Sequence, residues 1–177
     1  MLAFGSLLPF TNPYIMKVLK ICVFLFLINT SCQTKFNPTG YYRLTNQWQG
    51  AGKSLALVKN GKNYQLRLVK SNNSSEQMWR FIHYGGYYRL INKSQGYDRS
   101  LDVINDGKNN RLELAKSGNY LGQMWKISSI GNGYYRLTTK WLGSKKSLDV
   151  VNDGQNNKIQ LAKSGSFSRQ TWKIEPF

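Results

Sequence analysis

Cysteine is almost missing from this sequence. There are two, Cys22 and Cys32, both near the start of a 177-residue chain, so everything after residue 32 is without a disulfide or a thiolate metal site. Histidine is scarcer still: His83 stands alone, which leaves no Ser-His-Asp or Cys-His set to assemble. Acidic residues are few, 8 against 25 Lys and Arg, and the resulting formal charge of +17 makes anionic partners such as acidic polysaccharide, lipid headgroups or nucleic acid relevant. Four prolines with 41% hydrophobic and 14% aromatic residues exclude a disordered chain. No phosphate-binding loop or cluster of metal-ligating residues occurs, so no cofactor is expected. The one long apolar run, Ile21 to Ile28, is too short for a bilayer, which takes about 20 residues.

That run has a basic start at Lys17 and Lys20 and small residues, Thr30 and Ser31, at its end, which is the order of an export signal. Residues 1–31 are therefore expected to be a leader, with Met16 as the true start, and residues 32–39 a short linker. A cysteine directly after the small residues resembles a bacterial lipoprotein signal, which makes Cys32 the lipid anchor and the cell envelope the location. Asn29 stands where such signals carry Leu, Val or Ile, and plain secretion is the alternative. Removing residues 1–31 takes away two lysines and no acid, 17 − 2 = +15, so the basic character belongs to residues 32–177.

The rest of the chain carries one pattern three times. SLDVVNDGQNNKIQLAKSGSFSRQTWKI (Ser147 to Ile174) is matched by SLDVINDGKNNRLELAKSGNYLGQMWKI (Ser100 to Ile127) and SLALVKNGKNYQLRLVKSNNSSEQMWRF (Ser54 to Phe81). Tyr-Tyr-Arg-Leu openings at Tyr41, Tyr87 and Tyr134 lie 46 and 47 residues apart, as do Trp79, Trp125 and Trp172. Such spacing marks one supersecondary unit copied three times, in repeats 40–85, 86–132 and 133–177. Inside each copy the apolar residues alternate, predicting four short strands; in the middle copy these are 87–91, 100–104, 111–116 and 123–127. Asn60-Gly61, Asp106-Gly107 and Asp153-Gly154 mark the hairpin turn between the second and third. Alternation assigns to the core Leu101, Val103, Leu112, Leu114, Trp125, Ile127, their counterparts in the other copies, and Leu44, Leu90 and Leu137. Three copies are too few for a propeller ring, and twelve strands without a spare edge point to a closed threefold arrangement.

Gln77-Met78-Trp79, Gln123-Met124-Trp125 and Gln170-Thr171-Trp172 resemble the Gln-x-Trp motif that ends each repeat of the ricin B-type lectins. The resemblance runs from Gly40 to Phe177 and implies an all-β fold, a β-trefoil of three four-stranded repeats of about 46 residues. It also implies a carbohydrate-binding module, with a glycan as partner, no catalysis and a single copy as the working unit. In that family the sugar site of a repeat uses an Asp, a polar residue across its hairpin, a stacking aromatic and the Gln. By that correspondence Asp102, Glu113 and Gln123 form the second-repeat site, and Asp149, Gln160 and Gln170 the third. Ala115 and Ala162 occupy the usual stacking position, and Tyr120 and Phe167, five residues on, are the substitute aromatics. The first repeat carries Ala56 and Ser74 at the corresponding positions, so it lacks both acid and aromatic.

Two other readings stand beside this one. The aspartates could cap their own hairpins, the loop aromatics could only pack their loops, and the glutamines could only anchor them. The recurring Arg43, Arg89 and Arg136, with Lys70, Lys116 and Lys163, could form a basic adhesive ring for anionic polysaccharide. Nucleic acid would meet the same charge, but export makes it an unsuitable partner.

Overall fold

Alternating Leu, Val and Ile between glycine turns builds twelve strands, four per repeat, in the computed structural model, which describes residues 36–61 and 63–177. The export leader, Cys32 and the first residues of the linker lie outside the described residues. The first repeat comprises β1 (Tyr42–Asn46), β2 (Gly50–Asn60), β3 (Asn63–Lys70) and β4 (Trp79–Tyr84). The second comprises β5 (Tyr87–Asn92), β6 (Arg99–Val103), β7 (Leu112–Lys116) and β8 (Trp125–Gly131). The third comprises β9 (Tyr134–Thr139), β10 (Lys146–Val150), β11 (Ile159–Lys163) and β12 (Trp172–Pro176).

The first and last strands of every repeat pair in the order β12-β9-β8-β5-β4-β1, and β1 returns to β12, so six antiparallel strands close a barrel with no free edge. The middle strands of each repeat form the hairpins β2–β3, β6–β7 and β10–β11. This is the closed threefold arrangement that the spacing predicts. The first three strands of the middle repeat shift by one residue at one end or both, and the fourth shifts more: expected at 123–127, it runs over Trp125–Gly131, because Leu121–Gln123 turn once as a 3-10 helix and carry the glutamine side chain inward. The same turn occurs at Ser75–Gln77 and Ser168–Gln170.

Symmetry layers the core. Leu44 faces Ile174, Leu90 faces Phe81 and Leu137 faces Ile127 across neighbouring barrel strands. Trp79, Trp125 and Trp172 are fully buried, and their indole Nε1 groups donate to the carbonyls of Leu55, Leu101 and Leu148, each at 2.9 Å. A buried indole thus keeps its one donor satisfied while tying barrel to hairpin. Every residue assigned to the core by alternation lies in it, with Leu112, Ile127 and Ile159 only partly covered.

The pattern did not predict two residues of the core, Phe36 and Tyr42. Phe36, ahead of the first repeat and 8% exposed, stacks on Phe81 at 4.5 Å and meets the rings of Tyr42, Tyr88 and Tyr135 at 5.3, 5.3 and 6.2 Å. Those tyrosines are equivalent positions of the three repeats, so Phe36 plugs the barrel on its pseudo-threefold axis. Trp125→Ala should cost about 3–5 kcal/mol. Phe36→Ala should cost less, because the terminal segment can relax, but urea denaturation should still show a lower midpoint; an unchanged midpoint would remove Phe36 from the core.

Candidate functional site

Each buried glutamine of the Gln-x-Trp motif organises the ground around it. Gln123 accepts from Ser100 Oγ (2.7 Å) and the Gly118 amide (2.9 Å), and donates to the Lys116 carbonyl and to Asp102 Oδ2, both at 2.9 Å. Gln170 repeats the pattern with Ser147, Gly165, Lys163 and Asp149. Gln77 does so with Ser54, Asn72 and Lys70, but Ala56 offers it no carboxylate. Both glutamines expected at the ligand are therefore fully buried; they orient the aspartates and the loops rather than touch anything outside.

The loop after β7 is pinned on both sides of one residue: the Gly118 amide donates to Gln123 and the Gly118 carbonyl accepts from Arg89 Nη2 at 2.7 Å. Arg136 holds Gly165, and Arg43 holds Asn72, in the same way. The three arginines read as a basic ring are thus loop staples. A Cβ at Gly118 or Gly165 would overlap the ring of Tyr120 or Phe167, so each glycine makes room for the aromatic to lie against the loop. The first repeat has Asn72 and Ser74 in these places.

Around Asp102 this produces an open cavity of about 420 Å3, lined by Asp102, Asn105, Asn119, Tyr120, Leu121, Gly122 and Trp141 among others. Tyr120 is 61% exposed. Asp102 Oδ1 accepts from the Val103 amide at 2.7 Å, and Gly122 is required beside it, since a Cβ there would overlap Oδ1. Asn119 Oδ1 accepts from the Tyr84 hydroxyl, which leaves its amide nitrogen as the donor. Asn105 comes from the hairpin tip, where Asp106 caps the Asn109 amide and pairs with Arg111 at 2.7 Å. The Arg111 hydrogen bond, then the Asn109 amide, hold the Asp106 carboxyl below its ordinary range. That support of the tip is present in full above the ordinary carboxylate range and is lost as pH falls from there through the lowered value.

Trp141 belongs to the loop of the next repeat. Trp48 does the same for the third-repeat site, where a cavity of about 300 Å3 is lined by Trp48, Asn152, Ser166, Phe167, Ser168 and Arg169. Here Arg169 replaces Gly122. Its Nε lies 3.1 Å from Asp149 Oδ2 and its guanidinium sits 4.1 Å over the Phe167 ring. Asp149 is 0% exposed and its Oδ1 has no partner, so the bond Asp102 makes to the next amide is lost where a Cβ intrudes. Arg169 covers the carboxylate that its counterpart in the second repeat leaves accessible.

The register sets Asp102 opposite Glu113 and Asp149 opposite Gln160, as the sequence implied. Yet Glu113 and Gln160 do not join the two side cavities. With Arg67 they line a separate depression of about 560 Å3 where the three hairpins meet. Sequence reasoning also missed Trp141 and Trp48, which neighbour the site from the following repeat. The signal was present: Trp48 and Trp141 are equivalent, with Ser94 between them, so the first-repeat site lacks its acid, its aromatic and its neighbour's Trp together.

No protein-family model matches the sequence, and neither does any curated protein. Solved structures do match. ThreeFoil, a designed threefold-symmetric protein, is 25% identical, with 78% of this chain covering 99% of that one at a TM-score of 0.65. The domain is a β-trefoil. An exo-β-1,3-galactanase from Clostridium thermocellum is 30% identical at a TM-score of 0.67, but 81% of this chain covers only 32% of the enzyme. A Polyporus squamosus lectin, crystallised with a human-type influenza-binding epitope, is 18% identical, with coverages of 79% and 50% and a TM-score of 0.64. The trefoil thus spans a third of one relative and half of another. If the cavity at Asp102 takes a ligand, replacing Arg169 by Gly should free Asp149 and raise the number of sites measured by calorimetry from one to two; unchanged stoichiometry would mean that Arg169 is not what closes the third-repeat cavity.

Proposed function

We propose that this trefoil is a carbohydrate-binding module whose open site is the cavity of the second repeat. The observation that carries the reading is an accessible carboxylate, Asp102, fixed by Gln123 and Val103 between two aromatic walls, Tyr120 and Trp141. A sugar offers the matching features: adjacent hydroxyls to donate to a carboxylate, and an apolar ring face for an aromatic. Asn119 and Asn105 add polar groups at the rim. A cavity of this size suits one or two sugar units and, like most ligand sites, combines an apolar surface with few polar groups. The lectin neighbour lends support by its fold.

The function is binding without catalysis. A glycosidase needs two carboxylates flanking one bond, about 5 to 10 Å apart. Asp102 is the one acid lining its cavity, and Glu113 opens elsewhere. The leader supports export, with Cys32 as the lipidated residue that holds the module at the cell envelope. Cys32→Ser should then abolish incorporation of labelled fatty acid and release the protein from the membrane fraction, whereas a secreted protein would carry no label in either form.

A glycan array on the whole protein identifies the ligand. Asp102→Ala and Trp141→Ala should each weaken binding of the best glycan about tenfold or more, the scale of a lost charge-assisted hydrogen bond or stacking contact. Asp149→Ala should leave it unchanged. Equal binding by wild type and Asp102→Ala would place the site elsewhere.

A further inference from the structure

On the outer wall of the barrel, the three repeats carry a second set of equivalent surfaces. Each is built from two ladder pairs and the opening tyrosine of a repeat, with a loop residue that is a cation in two of them, Lys93 and Lys140, and Gln47 in the third. Between β4 and β5, Arg80 pairs with Ile91 and Ile82 with Arg89. Between β8 and β9, Lys126 pairs with Thr138 and Ser128 with Arg136. Between β12 and β1, Lys173 pairs with Thr45 and Glu175 with Arg43. Because directly opposite residues share a face, each set brings two cations together.

Two of these surfaces are self-satisfied. At β4–β5, Arg80 lies between the rings of Tyr41 and Tyr97, 4.3 and 5.1 Å away, donates to the Thr39 carbonyl, and has the bulk of Ile82 beside it. At β12–β1, Glu175 neutralises Lys173 at 2.7 Å, and Arg43 stacks over Phe177 at 4.4 Å. The β8–β9 surface differs at each of these points. Ser128 stands where the others have Ile82 and Glu175, and Ser144 stands where Tyr97 covers its neighbour. The result is a cavity of about 400 Å3 lined by Lys126, Arg136 and Lys140 together with the hydroxyls of Ser128 and Ser144, and no carboxylate lines it. Lys140 lies 5.3 Å over the Tyr87 ring, and among the described residues neither it nor Lys126 has an acidic partner.

We infer that this cavity is a second binding site, specific for an oxyanion substituent, a sulfate or carboxylate, carried by a polysaccharide. Three cations converging without a counter-charge set up a positive potential that like-charge repulsion makes costly until an anion arrives. The serine hydroxyls can donate to its oxygens, as hydroxyls and ammonium groups do around oxyanions. Arg136 contributes charge more than donors, since its Nη2 is committed to the Gly165 carbonyl. A polysaccharide, rather than a membrane, fits because the charge is recessed and because the loop that supplies Lys140 also supplies Trp141 to the cavity at Asp102. One chain can therefore engage both, although the anion site does not depend on the sugar site.

The test compares dextran sulfate with unsulfated dextran of the same length, titrated against the whole protein by calorimetry. Binding of the sulfated polymer alone is expected, and the pair Lys126→Gln with Lys140→Gln should weaken it about tenfold. The control pair, Lys93→Gln with Lys173→Gln, removes the same two charges from the equivalent surfaces and should change affinity by no more than about twofold. All four lysines are on the surface, and circular dichroism verifies the fold of both variants. Equal losses in the two pairs would mean diffuse charge and overturn the site, as would no loss in the first. Asp102→Ala should retain dextran sulfate binding even if it binds no neutral glycan, which separates this inference from the proposed function; loss there would overturn the independence of the cavity. Anionic phosphatidylglycerol vesicles that depend on Lys126 and Lys140 while dextran sulfate does not would overturn the polysaccharide assignment.

Discussion

A buried glutamine side chain hydrogen-bonded to hairpin, strand and loop at once is the interaction on which this structure turns. An amide in the interior is costly unless its donors and acceptor are met. Gln77, Gln123 and Gln170 meet that demand by gathering a serine hydroxyl from one strand, a carbonyl from the next and an amide from the loop beyond. The Trp two residues on then binds the hairpin carbonyl. Hairpin, loop and barrel strand are locked in one arrangement three times over. Where a repeat also has an aspartate, the fourth hydrogen bond of the glutamine fixes its carboxylate. The same glutamine thus serves the scaffold in all three repeats and orients an acid in two of them.

The threefold scaffold then matters through the places where its copies diverge. A glycine at 122 keeps Asp102 accessible and an arginine at 169 closes Asp149, though the backbones of the two loops correspond. Ser128 and Ser144 leave a cationic hollow where Ile82 and Tyr97, or Glu175, fill or neutralise it elsewhere. Three equivalent positions at the hairpins thus become one open cavity, one filled by an arginine and one without an acid. Three equivalent basic surfaces become one unsatisfied and two satisfied. The features that the proposals use all lie where the symmetry breaks.

Most of the fold was legible in the sequence because strand alternation and turn glycines are local signals, and a threefold copy repeats each of them. The barrel closure, the hairpins and most residues of the core came from those signals. Phe36 was not legible, since it lies outside the repeat and packs by filling an axial hole that only the assembled barrel creates. The site was legible in part. Asp102 and Tyr120 come from one repeat and were found from it; Trp141 comes from the next, and no spacing within a repeat points to it. Glu113 illustrates the opposite limit: the register across from Asp102 was read correctly, but which cavity a side chain lines depends on how three hairpins meet.

Everything proposed for neutral sugar rests on one cluster: the glutamine-fixed Asp102, with Tyr120 and Trp141, as the place where this module meets its glycan. An amide and indole chemical-shift titration of the isotopically labelled protein with the best array ligand reads that cluster residue by residue. Shifts should concentrate at the Val103, Tyr120 and Gly122 amides and at the Trp141 indole, with Phe167 and Arg169 silent. Shifts centred on the first repeat, or on the depression around Arg67, Glu113 and Gln160, would contradict it.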